Sequence, residues 1–296
     1  MHYIFIINGR EDYAPIIEAD LKKQLDGQDC NHTLYTTTGL GDATRFTRVY
    51  CDLHRNETVC FVACGGSGIT NEVASGIVGE SNKSMAILSY GLTNDLLKVY
   101  TEYDFHSVRK MLEGEVQKID IIKVNDSYAI NTCNFGFDST VAEEVYYLTE
   151  EKKKYPFERG IIRALLKARF NRIKVIADGK PLNKWLMLNC AIGNGRYSGG
   201  HFLCTPKAEV NDGLMDVCLV KVMSLLHLIH FYHHYLKGEQ IQSKHSKRVV
   251  YNQVKHVDVF SKNLFTMVLD GELLPGSEFS IDIIPQAIQL RLPKKD

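Results

Sequence analysis

The stretch Thr58-Val59-Cys60-Phe61-Val62-Ala63-Cys64-Gly65-Gly66-Ser67-Gly68-Ile69-Thr70-Asn71-Glu72-Val73 decides the fold. Its first seven residues form a nearly continuous apolar run, as in a strand covered on both faces of a parallel sheet. Three glycines follow, and Asn71 to Ile77 then reads as a helix. A glycine-rich turn between a buried strand and a helix lets backbone approach a ligand closely. The free N–H groups at the helix start attract anions. Taken alone, such a turn also fits a plain strand-to-helix connection.

Outward from it, the same alternation recurs. Tyr3 to Ile7 is a buried strand, Ala14 to Leu25 a helix, and His32 to Thr37 a second strand. Asp42 to Leu53 suits a helix with Asp42 as its N-cap, and Met85 to Leu88 is another short strand. This order predicts an α/β domain with a parallel sheet over residues 1–118. After Glu115 the texture changes to short alternating segments, at Lys118 to Val124, Ser127 to Asn134, Ile173 to Ala177, Trp185 to Asn194 and Leu214 to Val220. His256 to Ser261 and Phe265 to Leu269 continue the series. These predict a mainly antiparallel β domain over residues 119–284, interrupted by helices at about Pro156 to Phe170 and Ser224 to Lys237.

Composition narrows the function classes. The 296 residues are 45% hydrophobic and 24% charged, as in ordinary globular proteins. Lys+Arg and Asp+Glu balance at 35 each, so no global field favours nucleic acid. The apolar N-terminus lacks a basic leader and a cleavage site, and no apolar run reaches the roughly 18 residues that span a bilayer. The eight cysteines are scattered without CxxC spacing and fit reduced, mostly buried thiols. The expectation is a cytoplasmic protein.

Further motifs accompany the first. Asn8-Gly9 follows the first strand, Thr37 precedes Gly41-Asp42-Ala43, and Gly91-Leu92-Thr93-Asn94-Asp95 forms a second glycine loop. Later come Lys118-Ile119-Asp120-Ile121-Ile122, Asn134-Phe135-Gly136-Phe137-Asp138 and Gly193-Asn194-Gly195-Arg196-Tyr197-Ser198-Gly199-Gly200. Asp212-Gly213-Leu214-Met215-Asp216-Val217 and Asp270-Gly271-Glu272 complete the set. In this order the motifs cover nearly the whole chain, and they resemble the diacylglycerol kinase-like lipid kinases. The first segment is similar to that family's GGDGTxNEV signature, and the last to its DGE triplet. The fold is shared with NAD kinases, whose GGDG loop is similar, but the GNGRYSGG and DGLMDV segments resemble the lipid kinases more.

The resemblance implies an ATP- and Mg²⁺-dependent kinase for a lipid hydroxyl such as that of diacylglycerol, acting in the cleft between the domains. Asn8, Thr37, Gly65, Gly66, Ser67, Gly68, Asn71, Glu72 and Asn94 would bind the nucleotide. Asp95 and Asp120 would hold water around the catalytic Mg²⁺, Glu272 would accept the hydroxyl proton, and Asp212 and Asp216 would surround a second, structural Mg²⁺. The family pattern also returns residues 285–296 to the first domain. The chain departs from the pattern at Ser67, where the motif has Asp, and at Ile69, where it has Thr. In the second loop Leu92-Thr93 stands for Thr-Gly and Leu96-Leu97-Lys98 for Phe-Ala-Arg. These changes keep a lipid- and nucleotide-binding pseudokinase open as the rival class.

Two helices bear on partners. Phe157 to Arg172 sets Ile161, Ile162, Leu165 and Leu166 against Arg159, Arg163, Lys167 and Arg169, a basic amphipathic pattern that suits an anionic membrane face or a solvated surface. His227, His230 and His234 share one face of the Ser224–Lys237 helix. No carboxylate or cysteine accompanies them, which favours a solvated or interface face over a metal site. A homodimer stays open.

Overall fold

The computed structural model describes residues 1–9, 13–91, 93–167, 171–242 and 246–295. The chain divides into two compact units, Met1–Ile121 with Pro285–Asp296, and Ile122–Ile284.

The first unit alternates β1 (His2–Ile7), α1 (Ala14–Leu25), β2 (Asn31–Thr36), α2 (Asp42–Leu53), β3 (Val59–Gly65), α3 (Ser67–Ile77) and β4 (Lys83–Ser89). Short α4 (Val108–Leu112) follows, and β5 (Glu115–Val124) leads out of the unit. The four strands pair in parallel in the order β2-β1-β3-β4. Every residue of β3 is buried, as is β1 from Tyr3 onward, as strands covered on both faces require. On one face Ile17, Leu21 and Leu25 of α1, with Val108 and Met111 of α4, pack on Phe5, Val62 and Leu88. Parallel pairing places the strand ends at Asn8, Thr37, Gly65 and Ser89 on one edge of the sheet, where ligands of open α/β sheets bind.

Two details differ from expectation. Helix α3 begins at Ser67 rather than Asn71, because Gly66 takes the extended cap conformation and Thr70 N–H closes the first turn on Gly66 O at 3.2 Å. Asp42 is the first helical residue rather than the cap. That place belongs to Gly41, at φ 73°, a left-handed conformation glycine adopts readily.

The second unit holds β6 (Ser127–Ala129), β7 (Thr132–Gly136), α5 (Phe137–Glu150), α6 (Pro156–Lys167), β8 (Asn171–Ala177), β9 (Lys180–Pro181), β10 (Leu186–Met187) and β11 (Asn189–Gly193). It continues with β12 (Met215–Val220), α7 (Leu225–Leu236), β13 (Val249–Val254), β14 (His256–Leu269) and the start of β15 (Glu272–Leu292). The antiparallel order is β13-β12-β11-β7-β14-β15, with β8 added along β14. The end of β15 belongs to the first unit, where Leu290 and Arg291 lie parallel to Met85 and Ala86. Phe135, Val217, Val259, Met267 and Ile281 centre the second unit's core.

Here the sequence patterns misled in several places. The 14-residue α5 carries little helical signal in the sequence, since it follows a turn-like Gly-Phe-Asp and buries only Ser139, Glu144 and Leu148. Strand β13 was also missed. His256–Ser261 and Phe265–Leu269 are one strand with a register shift between Phe260 and Phe265. The helix expected to run to Phe170 is described as far as Lys167, and residues 168–170 lie outside the described residues. All eight cysteines are free thiols, and among the described residues no helix is long and apolar enough to cross a membrane.

Candidate functional site

In the first unit the glycine loops after β3 and β4 meet backbone to backbone. A Cβ on Gly91 would sit 2.5 Å from both Gly66 Cα and Gly66 N, and one on Gly66 would sit 2.8 Å from Thr93 O. No side chain fits at either position. Ser67 N–H donates to Thr93 O at 3.1 Å, and Asp95 N–H donates to Ser67 Oγ at 3.4 Å. The serine that replaces the motif aspartate thus braces the second loop. Behind it, Asn94 Nδ2 donates to Thr70 Oγ1 at 2.9 Å, and that hydroxyl donates to Gly66 O at 2.9 Å. The buried Asn94 Oδ1 has no hydrogen-bond partner. Thr70 is a candidate site residue that the sequence motifs do not single out. With Ile69 at the motif threonine, the hydroxyl one position later makes these links, and that adjacency was the available signal.

The ends of β1 and β2 complete this edge. Gly9 N–H donates to Thr37 Oγ1 at 3.0 Å, and a Cβ on Gly9 would lie 1.9 Å from Thr37 O. Asn8 and Thr37 are both buried, and a Cβ on Gly65 would come within 3.5 Å of Asn8 Cβ. Asn8, Gly9, Thr37, Gly65, Gly66, Ser67, Gly91, Asn94 and Asp95 are therefore joined at one sheet edge, with Gly68 in the first turn of α3. Leu92 lies outside the described residues.

Other expected residues are engaged by neighbours of their own. Glu72 is buried and its Oε2 accepts Ala43 N–H at 3.1 Å, which holds the start of α2 against α3. Buried Asn71 precedes it on α3. Asp120 is fully buried on β5 and accepts Gln286 N–H at 2.7 Å, fastening the returning chain. Asp95 forms an ion pair with Lys98 at 2.8 Å. Near the same edge, Asp42 accepts from Thr38 N–H and from the hydroxyls of Tyr35 and Thr38, and pairs with Arg45. The Thr38 N–H contributes most to holding this carboxyl down at about 2.

The second unit gathers its motifs around a tight hairpin. Asp270 and Gly271 both have positive φ, 47° and 98°, and they join β14 to β15 with Leu269 opposite Glu272. A two-residue turn of this kind matches strand twist. The Asp270 carboxylate accepts Asn131 N–H at 3.1 Å and Thr132 N–H at 2.8 Å, while Asp270 N–H donates to Thr132 O at 3.1 Å. Asp270 therefore locks the hairpin, and with it half-buried Glu272, onto the turn between β6 and β7.

That turn carries the third motif. Asn194 N–H and Gly195 N–H both donate to Asn131 O at 2.9 Å, and Asn194 Nδ2 donates to Ile130 O at 2.9 Å. Asn131 Nδ2 donates to Tyr197 O at 3.0 Å, and Asn134 Nδ2 donates to Ser198 Oγ at 2.6 Å. The side-chain oxygens of Asn131 and Asn134 are buried without hydrogen-bond partners. Asp138 shares two hydrogen bonds with Asn189, and burial pushes its carboxyl up to about 6.

Both units also match known families. Residues 2–124 match the diacylglycerol kinase catalytic domain, and residues 131–292 match the YegS C-terminal NAD kinase beta sandwich-like domain. The chain belongs to the diacylglycerol kinase-like lipid kinases. A relative from Yersinia enterocolitica named "Probable lipid kinase YegS-like" is 32% identical, covering 99% of this chain and 97% of its own. A relative of the same name from Yersinia pestis is 30% identical over the same shares. A structure described as a diacylglycerol kinase from Bacillus anthracis has a TM-score of 0.70 at 16% identity, covering 98% of this chain and 96% of its own. An NAD kinase from Archaeoglobus fulgidus, in complex with ATP, has a TM-score of 0.50 at 11% identity over 100% and 94% of the two chains. These structures show the fold.

A lipid kinase of this family implies a divalent cation. Among the described residues no three His, Cys, Asp or Glu side chains converge as a direct metal cage. Asp216 fits a cation in another way. It is fully buried, its Oδ1 has no hydrogen-bond partner, and it stands opposite Gly193 across β11 and β12. Burial pushes its carboxyl up, with a smaller push from the charge of Asp212, against hydrogen bonds from Tyr251 and Gln253. A bound cation would offset the desolvation of that oxygen. Asp212 itself accepts Leu214 N–H at 2.9 Å in the turn before β12.

Proposed function

We propose that this lipid kinase transfers the γ-phosphoryl group of ATP to a lipid hydroxyl such as that of diacylglycerol. The observation that carries the reading is the backbone contact of two glycine loops at the carboxyl edge of a parallel sheet, one of them opening the eleven-residue α3. Exposed N–H groups at such an edge suit a nucleotide's phosphates. Gly65, Gly66, Ser67 and Gly68 line the phosphates, and Asn8, Thr37 and Asn94 orient the nucleotide. Glu272, fixed by the Asp270 hairpin, accepts the proton of the attacking hydroxyl as that oxygen bonds to phosphorus and ADP leaves.

Mg²⁺, when bound, neutralises charge on the phosphate oxygens. Asp95 and Asp120 would hold it through water, and Asp212 with Asp216 would hold a second ion.

A pseudokinase reading is favoured by one observation, the engagement of Ser67 in bracing Thr93 and Asp95. A serine brings no charge to a cation. An NAD kinase reading has less support, since both Yersinia relatives carry the name "Probable lipid kinase YegS-like". Incubating the protein with ATP, Mg²⁺ and a total lipid extract, followed by mass spectrometry, decides among these. A new phosphorylated lipid is expected. Phosphorylation of added NAD in place of any lipid, or no product at all, would overturn the proposal.

A further inference from the structure

Helix α7 is unusual among the helices for what it leaves outside. Its sequence Leu225-Leu226-His227-Leu228-Ile229-His230-Phe231-Tyr232-His233-His234-Tyr235-Leu236 buries Phe231 and Tyr235 against β11 and β12. Yet Leu226 is 82% exposed, Ile229 64%, Tyr232 42% and Leu225 40%. At about 100° per residue these four fall on one side of the helix, next to the buried face. A second exposed apolar group lies beside the segment that leads into the helix. Leu186, 50% exposed, lines a shallow concavity with Lys184, Lys221 and Val222, and the adjacent Trp185 is 42% exposed. Exposed apolar side chains gathered on one helix face mark an interaction surface.

Charge selects the occupant. Neither Lys180–Leu188 nor Lys221–Gly238 contains an Asp or Glu, while together they carry Lys180, Lys184, Lys221 and Lys237; Glu239, just past them, is 2.8 Å from His234 Nδ1. Lys247 approaches as well, its carbonyl accepting from Lys221 Nζ at 3.4 Å. A second copy docked face to face would bring these like charges together. An anionic lipid surface would meet both the apolar stripe and its basic rim, with Trp185 and Tyr232 suited to the headgroup level. Helix α6, the basic helix singled out from the sequence, offers less. Its Arg163 pairs with Glu144, and Ile162 is its only strongly exposed large apolar side chain among those described.

We propose that α7 and the Lys180–Leu186 turn form the face by which this protein docks on an anionic membrane. The proposal concerns attachment and does not rest on phosphoryl transfer. It is tested by sedimentation with phosphatidylcholine vesicles, with and without phosphatidylglycerol. Wild type should sediment with the anionic vesicles and be released by salt. Leu226→Asp combined with Ile229→Asp should weaken vesicle binding roughly tenfold or more, with an unchanged thermal midpoint. Ile162→Asp should bind as wild type. Failure of wild type to sediment, equal sedimentation of the double variant, or loss of binding in Ile162→Asp alone would overturn the proposal. So would a wild-type dimer on gel filtration that the double variant dissociates without any vesicle binding, since a second copy would then cover the face.

Discussion

The glycine loops of the first unit and the Asp270 hairpin of the second hold their motif residues by opposite means. The loops depend on missing side chains. Gly91 lies so close to Gly66 that a single carbon would collide with backbone, and Ser67 and Thr70 supply hydrogen bonds only around that contact. The hairpin depends on a present one. Asp270 accepts two N–H groups from the β6–β7 turn, and Gly271 has open space around it and is needed only for its positive φ. On the proposed reading the first arrangement brings backbone close to a ligand's oxygens, while the second fixes one carboxylate, Glu272, for chemistry. The motif aspartate is replaced in the region held by backbone contact, and the acidic triplet is intact in the region held by a side chain.

The comparison can be broken at several points. The largest effect is expected at Glu272. Glu272→Gln keeps size and removes the base, and should lower lipid phosphorylation on the order of 10²–10⁴-fold with unchanged thermal unfolding. Equal rates for the two proteins would strip the hairpin of its role.

Next comes Gly91→Val, which puts carbon atoms into the Gly66 backbone. Urea unfolding should show a loss of about 3 kcal/mol. Gly271→Ala, where nothing is close, should cost about 1 kcal/mol through its positive φ alone. Similar losses at the two sites would show that steric contact does not distinguish the regions.

Asp270→Asn leaves fewer acceptor lone pairs for the N–H groups of Asn131 and Thr132. A loss of about 2 kcal/mol is expected, since hydrogen bonds to a charged acceptor are the stronger ones. A parallel fall in turnover would sharpen the link between the hairpin's anchor and Glu272.

The smallest effect is a pH dependence at a histidine that belongs to neither motif region. His256 lies between Asp282 at 2.8 Å and Asp258 at 3.1 Å, and the Asp282 hydrogen bond does most to raise its pKa. A raised folded pKa adds stability below the ordinary value of about 6.5 that is lost as pH rises through the folded value. The group is partly exposed, so the contribution should be about 0.5 kcal/mol. His256→Gln should remove that slope from urea unfolding measured between pH 6 and pH 8, taken as roughly the window of histidine titration.

How much of this was legible in the sequence follows from the range of the interactions. The fold class was readable because β1, β3 and β4 are local apolar runs, and the glycine segment announced a strand-to-helix turn. Helix α5 was not, because its three buried residues give little periodic signal. In the site, the residue types at Gly65–Gly68, Asn94 and Asp270–Glu272 could be named from their order. Their mutual bracing could not. Asp270 reaches Thr132 across 138 positions, and Ser67 N–H reaches Thr93 O across the whole of α3 and β4. Nor could the sequence show that Glu72, inside the signature, has its carboxylate turned toward Ala43 N–H.

The central claim is that the first unit handles nucleotide and the second supplies the base. Calorimetric titration of Mg²⁺-ATP into wild type, Ser67→Asp and Glu272→Gln tests it most directly. Wild type and Glu272→Gln should bind with the same affinity. Ser67→Asp, which returns a charge to the first turn of α3, should bind roughly tenfold more tightly, about 1.4 kcal/mol. Absence of binding in all three, or loss of binding in Glu272→Gln alone, would contradict the account.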